Sequence, residues 1–254
     1  MLLIVAHHYV VNSGLVSEEA IYSAPLSWRS VFLLLFGAWG KAGINCFVLI
    51  TGYFMCKQEI TFRKYAKLLC EILFYRILIY AVFLLTGYEA FSITALAKAI
   101  IPIIEIKQNF TGCFLAFYLC IPFLNILVRH MTEKQHVLLL CLTGFVYVFF
   151  GTVHRVDMNY VSWFIVVYLT AAYIRLYPKT CFAKKRPWGW ATLAILIIMG
   201  ISVVACAWLG LRMDRRLHYY FVADSNTFLA VTLGISSFLY FRNVRMAQHK
   251  LSII

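Results

Sequence analysis

The chain has 254 residues, 63% hydrophobic and only 13% charged, and its mean hydropathy is +0.83. Soluble domains carry about 25% charged residues, so an ordinary water-soluble enzyme is excluded, and disorder is excluded because it needs low hydrophobicity. The net charge of +13 reads as basic loops holding apolar helices against an anionic membrane face, not as a nucleic-acid surface.

The apolar runs are longer than the roughly ten-residue alternating segments of a membrane β-barrel. The fold expected is all-α: a polytopic transmembrane helix bundle of about seven full spans plus a partial first helix, forming one membrane-embedded domain over 1–254. The first stretch, MLLIVAHHYVV, is apolar from residue 1 and lacks the basic start of a signal peptide. A spanning helix needs about 20 residues, so this stretch reads as the second half of a helix whose first half precedes residue 1. His7 and His8 sit in it. Adjacent helical residues point about 100° apart, so at most one of them faces the bundle. A histidine there is suited to metal binding, proton shuttling or general-base work, or it merely reaches the interface.

Full spans are expected near 34–55, 66–87, 112–128, 136–152, 160–177, 189–210 and 225–241. Segment 91–104, shorter and containing Pro102, reads as interfacial or re-entrant. In the first full span, Gly37, Gly40 and Gly43 permit close helix approach. Lys41 and Asn45 are four apart and share a helix face. Asn45 is either glue between helices or, with Lys41, the polar lining of a substrate path. Arg76 lies deep in the next span and requires a partner, which the residues do not name.

Other motifs are sparse. None of the eight cysteines forms a C-x-x-C pair, and no metal-ligand spacing, phosphate-binding glycine loop or nucleophile elbow is present. No metal is expected. Asn109-Phe110-Thr111 fits a glycosylation triplet, a pattern common by chance, and Lys184-Lys185-Arg186 is a topology anchor.

The order of four stretches resembles the acyltransferase-3 family of integral-membrane O-acyltransferases. IVAHHYVV resembles the end of that family's first helix, where a histidine closes a basic residue–ten residues–histidine pattern. GINCFVLITGYFM resembles its G-V-x-x-F-F-x-L-S-G-F helix, with Thr51 in place of the usual serine. NFTGCFLAFYLCIPFLN resembles W-F-x-x-x-Y-L-x-x-x-x-x-P-x-x-N, and FIVVYLTAAYIRLYP resembles a Y-L-x-G-A-Y-I-R segment. The resemblance covers nearly the whole chain. It implies transfer of an acyl group, acetyl above all, from acyl-CoA to a hydroxyl of a sugar, polysaccharide or lipid. It implies His8 as catalytic histidine, with a basic partner eleven positions upstream and so before residue 1. It also implies Arg63, Lys64 and Lys67 at the acyl-CoA phosphates, where the family carries a denser arginine cluster. Acyl-CoA is then a co-substrate, with no tightly bound cofactor, and the bilayer and a glycan or lipid acceptor are the partners. The family's usual ten helices imply a chain incomplete at both ends. The rival readings are a transporter or flippase for a lipid-linked glycan, and an inactive membrane fragment.

Charge fixes an expected orientation, in a bacterial cytoplasmic membrane. Loops on one side carry Lys57, Arg63, Lys64, Lys67, Arg129, Lys134, Arg175, Lys179, Lys184, Lys185, Arg186, Arg242, Arg245 and Lys250. The other side carries only Arg29, Lys98, Lys107, Arg155, Arg212, Arg215 and Arg216. The first side is cytoplasmic by the positive-inside rule. Cysteines introduced singly at 178–188 are therefore expected to resist impermeant thiol reagents added outside intact cells and to react once the membrane is opened. External labelling of that loop would reverse the topology.

Overall fold

The computed structural model describes residues 2–12, 21, 24–102, 110–154 and 159–244. Lys107, Asn109, Arg155, Arg245 and Lys250 lie outside the described residues. Every regular element among those described is helical: α1 (Leu2–Asn12), α2 (Trp28–Gly37), α3 (Gly40–Met55), α4 (Phe62–Leu85), α5 (Ile93–Ile100), α6 (Phe110–His130), α7 (Glu133–Thr143), α8 (Phe150–Val153), α9 (Tyr160–Leu176), α10 (Lys185–Met213) and α11 (Phe228–Arg242). A π-turn segment, Gly144–Phe149, joins α7 to α8, and a short 3-10 turn covers Thr180–Ala183.

Five helical stretches are long and apolar enough to cross a membrane: Trp28–Met55, Phe62–Leu85, Phe110–His130, Glu133–Val153 and Lys185–Met213. Only 6% of the apolar window of α4 is buried, against 56% for α6. A helix that apolar and that uncovered is stable against hydrocarbon, not against water. This is a membrane protein, with five such stretches among the described residues where seven full spans are expected. The stretches expected at 160–177 and 225–241 form helices of 17 and 15 residues, roughly 26 and 22 Å at 1.5 Å per residue, short of a core about 30 Å thick. The cause lies at their ends. Asn159 starts α9 by accepting the Val161 N–H at 2.8 Å, and Pro178 follows its end, disfavouring helical geometry in the residue before it. At α11, the turn through Ser225, Asn226 and Thr227 is buried and bonded by side chains, so the helix begins only at Phe228.

The chain divides into two units: residues 1–50, 142–156 and 176–254 in one, 51–141 and 157–175 in the other. In the first, α1 packs on α2 and the start of α3, α10 packs on α2, and α11 packs on α10. A core of Val10, Leu33, Leu34, Ala42, Met199, Val203 and Leu233 lies between them. The approach of α1 is set by glycine. A Cβ at Gly37 would stand 3.0 Å from the Val10 side chain, one at Gly40 only 2.2 Å from that of His7, and one at Gly43 3.1 Å from Ile4. Rising numbers on one helix meet falling numbers on the other, three residues at a time. The two run antiparallel with backbones as near as missing side chains allow, as the glycine spacing predicted.

The second unit holds an aromatic core. Phe117 packs edge-on against Phe164 and Tyr168, both at 5.8 Å between ring centroids, and such pairs add about 0.5–1.5 kcal/mol each beyond burial. Arg76, left without a partner by the sequence, donates to the carbonyls of Lys98 and Ala99 at 2.5 and 3.3 Å. These are the last carbonyls of α5, where a cation also meets the negative end of the helix dipole. The 91–104 stretch thus provides a short helix, Ile93–Ile100.

Gly40→Ala is expected to destabilise the first unit by about 1–3 kcal/mol, the usual range for overpacking. Gly144→Ala, where a Cβ meets nothing within 4 Å, is expected to be neutral or stabilising. Thermal unfolding of the detergent-purified protein would compare them, and equal melting temperatures would refute the close approach.

Candidate functional site

Two polar clusters stand out, one in each unit. The first is built on the break between α2 and α3. Gly37 ends α2 and Gly40 starts α3, so carbonyls near the break lose their regular helical partners. The imidazole of His7 meets one of them: Nδ1 donates to the Gly37 carbonyl at 2.6 Å. A carbonyl oxygen only accepts, so Nδ1 carries the hydrogen, and in the neutral ring Nε2 has a free lone pair. Nε2 has no hydrogen-bond partner among the described residues. Tyr219 closes this corner. Its hydroxyl donates to the Leu34 carbonyl at 2.8 Å, and its ring centroid lies 6.5 Å from that of His7. Half-buried Lys41 is near enough to act electrostatically on His7.

This geometry separates the two histidines by burial. His8, the residue aligned with the family histidine, is exposed, and its Nδ1 accepts from Asn12 Nδ2 at 2.8 Å. The inward face of α1 runs through Ile4, His7 and Val10, three residues apart, and His8 is about 100° off that line. As expected, only one of the pair enters the bundle, but it is His7.

Asn45 makes the bonds of helix glue, one of its two readings. It is 2% exposed, and its Nδ2 donates to the carbonyls of Ser225 and Ala230 at 2.7 and 3.1 Å. A Cβ at Gly234 would stand 2.7 Å from the Asn45 Cβ. Asn45 ties α3 to the start of α11. Asn226 works similarly, donating to Tyr147 O in the π-turn at 2.9 Å, and the Thr152 hydroxyl accepts from the Phe228 N–H at 2.9 Å. The π-turn frees a carbonyl, and these side chains use it to hold the α11 terminus.

The second cluster, in the other unit, lies at the end of α3. Asn125 of α6 donates to the carbonyls of Met55 and Gln58 at 3.1 and 3.0 Å, and Arg129 donates to Cys56 O at 3.4 Å. Tyr168 of α9 donates its hydroxyl to Asn125 Oδ1. Arg175 lies over the Tyr53 ring, 4.7 Å from its centroid, and donates to the Tyr53 hydroxyl at 2.9 Å. Its Nε is buried with no hydrogen-bond partner. Burial pushes the Cys56 thiol up, opposed by the positive charges of Arg175, Lys57 and Arg129. Three cations thus converge at one helix end, and among the described residues no carboxylate is bonded to them.

Arg63, Lys64 and Lys67 are all exposed in the first turns of α4, and Lys64 Nζ donates to the Glu59 carbonyl at 2.9 Å. Cations at a helix N-terminus oppose the dipole, so helix stability does not explain them. His136 was passed over in the sequence. It is fully buried, and its Nε2 meets the Leu169 carbonyl at 2.9 Å. Asn125, Tyr168 and Arg175 were within the stretches that carried the family resemblance, but nothing in their spacing marked them as meeting. Tyr219 gave no signal, lying in a loop without periodicity. No cluster of His, Cys, Asp and Glu fit to hold a metal occurs among the described residues.

Comparison of the chain with protein-family models, with curated proteins and with solved structures finds no match in any of the three. Asn125→Ala would remove the donor from the Met55 and Gln58 carbonyls and the acceptor from the buried Tyr168 hydroxyl. It is expected to cost about 1–3 kcal/mol in unfolding free energy, measured by denaturant titration in micelles. A change below a few tenths would show that water already serves these groups.

Proposed function

We propose that the chain is an integral-membrane O-acyltransferase of the bacterial cytoplasmic membrane, moving an acyl group, acetyl first among them, from acyl-CoA to a hydroxyl of a sugar, polysaccharide or lipid. The observation that carries this reading is the His7 Nδ1 bond to the Gly37 carbonyl, which holds the ring in the tautomer whose Nε2 accepts a proton. His7 replaces His8 as the base, because a base must sit where substrate is held and the ring is fixed. The step balances as follows. The acceptor hydroxyl gives its proton to Nε2, and its oxygen attacks the thioester carbonyl. The carbon–sulfur bond breaks, and the departing thiolate takes the proton from Nε2 to leave free CoA. Lys41, in the first turn of α3, provides a positive charge for the oxyanion that forms between.

The donor is polyanionic, and charge-assisted bonds from arginine suit phosphate. Arg63, Lys64 and Lys67 remain the outer attractors for those phosphates. Arg129, Arg175 and Lys57 are added to them because their charges converge without a carboxylate bonded to them. Substitution of Arg63, Lys64 and Lys67 together by Gln is expected to weaken acyl-CoA binding about tenfold or more at low salt, and less at high salt where exposed charges are screened. Unchanged binding in the inserted variant would reduce these residues to topology anchors.

His7→Asn is the sharper test. The asparagine amide can still donate to the Gly37 carbonyl, but it offers nothing at the Nε2 position. Folding is expected to survive while acetyl transfer from labelled acetyl-CoA falls by about 10²–10⁴, the span that general-base catalysis supplies. His8→Ala is expected to retain transfer. If His8→Ala abolishes turnover and His7→Asn does not, the base is His8 and the reading of this corner is wrong.

A further inference from the structure

The last turn of α10 folds back on itself. Asp214 is left-handed at φ 51° and ψ 46°, and its N–H bonds to the Gly210 carbonyl. The Arg215 N–H bonds to that same carbonyl at 2.9 Å, the double closure typical of a helix C-terminus. A Cβ at Gly210 would stand 2.5 Å from the Arg215 carbonyl oxygen, so the return is possible only over a glycine. The segment from Asp214 to His218 thereby becomes one wall of a cavity of about 520 Å³, within the roughly 300–1,000 Å³ of small-molecule sites. Leu34, Ala207 and Leu211 form an apolar floor, while Asp214, Arg215, Arg216 and His218 bring polar groups to the rim. The cavity lies at the opposite end of α10 from Lys184, Lys185 and Arg186, which the charge bias puts inside the cell.

We propose that this cavity binds a carboxylate-bearing sugar, with the guanidinium groups of Arg215 and Arg216 on the carboxylate and the apolar floor against the ring. Two arginines against one aspartate leave the rim with one net positive charge, which suits a monoanion. Asp214 repels a phosphate dianion. Arginine presents a planar fork that matches a carboxylate in two parallel bonds. Burial, with the charge of Arg216 adding to it, holds the His218 imidazole below its ordinary range and therefore neutral. A neutral imidazole both donates and accepts, as sugar hydroxyls require and a hydrocarbon tail does not. Leu34, in the floor, is also the residue whose carbonyl anchors Tyr219 beside His7. Leu34 is thus common to the cavity lining and to the Tyr219 corner beside His7, and the bound sugar would be the acyl acceptor. That last identification rests on the acyltransferase reading, and binding itself does not.

The test uses the full chain in nanodiscs with three probes: digalacturonate, its methyl ester and butyrate, titrated calorimetrically. The acid is expected to bind about tenfold or more tightly than the ester, the discrimination one charge-assisted pair provides, and more tightly than butyrate. Arg215→Gln with Arg216→Gln is expected to bring the acid down to the level of the ester. No binding, equal binding of acid and ester, equal binding of butyrate, or a preference that survives in the folded double variant would each overturn the proposal. The acid–ester comparison on the unaltered protein decides even if the variant does not fold. Acetyl transfer is scored separately: a carboxylate preference without transfer to any hydroxyl would leave the cavity assigned and the acyltransferase reading refuted.

Discussion

The first unit depends on one constraint: α1 must come close enough to α2 and α3 for an imidazole to reach a main-chain carbonyl. In hydrocarbon, apolar side chains gain nothing by leaving lipid for one another. Helices instead associate through close packing and hydrogen bonds. Gly37, Gly40 and Gly43 remove the side chains that would hold the backbones apart. The break at Ala38 and Trp39 opens the helical ladder, and His7 completes it at Gly37. The Gly37 carbonyl thereby orients the ring, and Tyr219 fits beside it because Gly37 has no Cβ to obstruct the hydroxyl.

The same need recurs through both units. A buried carbonyl without a donor is costly, more so where water is scarce. Asn45 and Asn226 serve the start of α11, Arg76 the end of α5, and Asn125 and Arg129 the end of α3. Most polar residues in apolar surroundings are thus structural, satisfying helix ends. This sorts the candidates by unused bonding capacity. Asn45 has given both amide hydrogens to backbone. His7 keeps Nε2, and Arg175 keeps a buried Nε.

Around the end of α3 the polar side chains are bonded in pairs, Tyr168 to Asn125 and Arg175 to Tyr53. Such a network, in a segment otherwise of Phe, Leu and Val, is expensive unless every member is partnered.

Composition and the length of the apolar runs were enough to determine that this is a helical membrane protein, because the bilayer permits few alternatives. The glycine spacing was legible too, since i and i+3 positions share a face whatever the partner. Helix length was not. At 225–241 the apolar run takes in the buried turn at Ser225, where the helix has not yet begun, and only the bonded partners reveal that start. Nor could sequence choose between His7 and His8. Both are in the same apolar run, and periodicity says only that they diverge by about 100°. The choice belongs to whichever side meets Gly40, and that was decided by the packing of α1 against a helix distant in sequence. Arg76 and Asn45 follow the same rule: each was visible as a polar residue needing a partner, but the partner was a main-chain carbonyl, which every residue possesses and no sequence distinguishes.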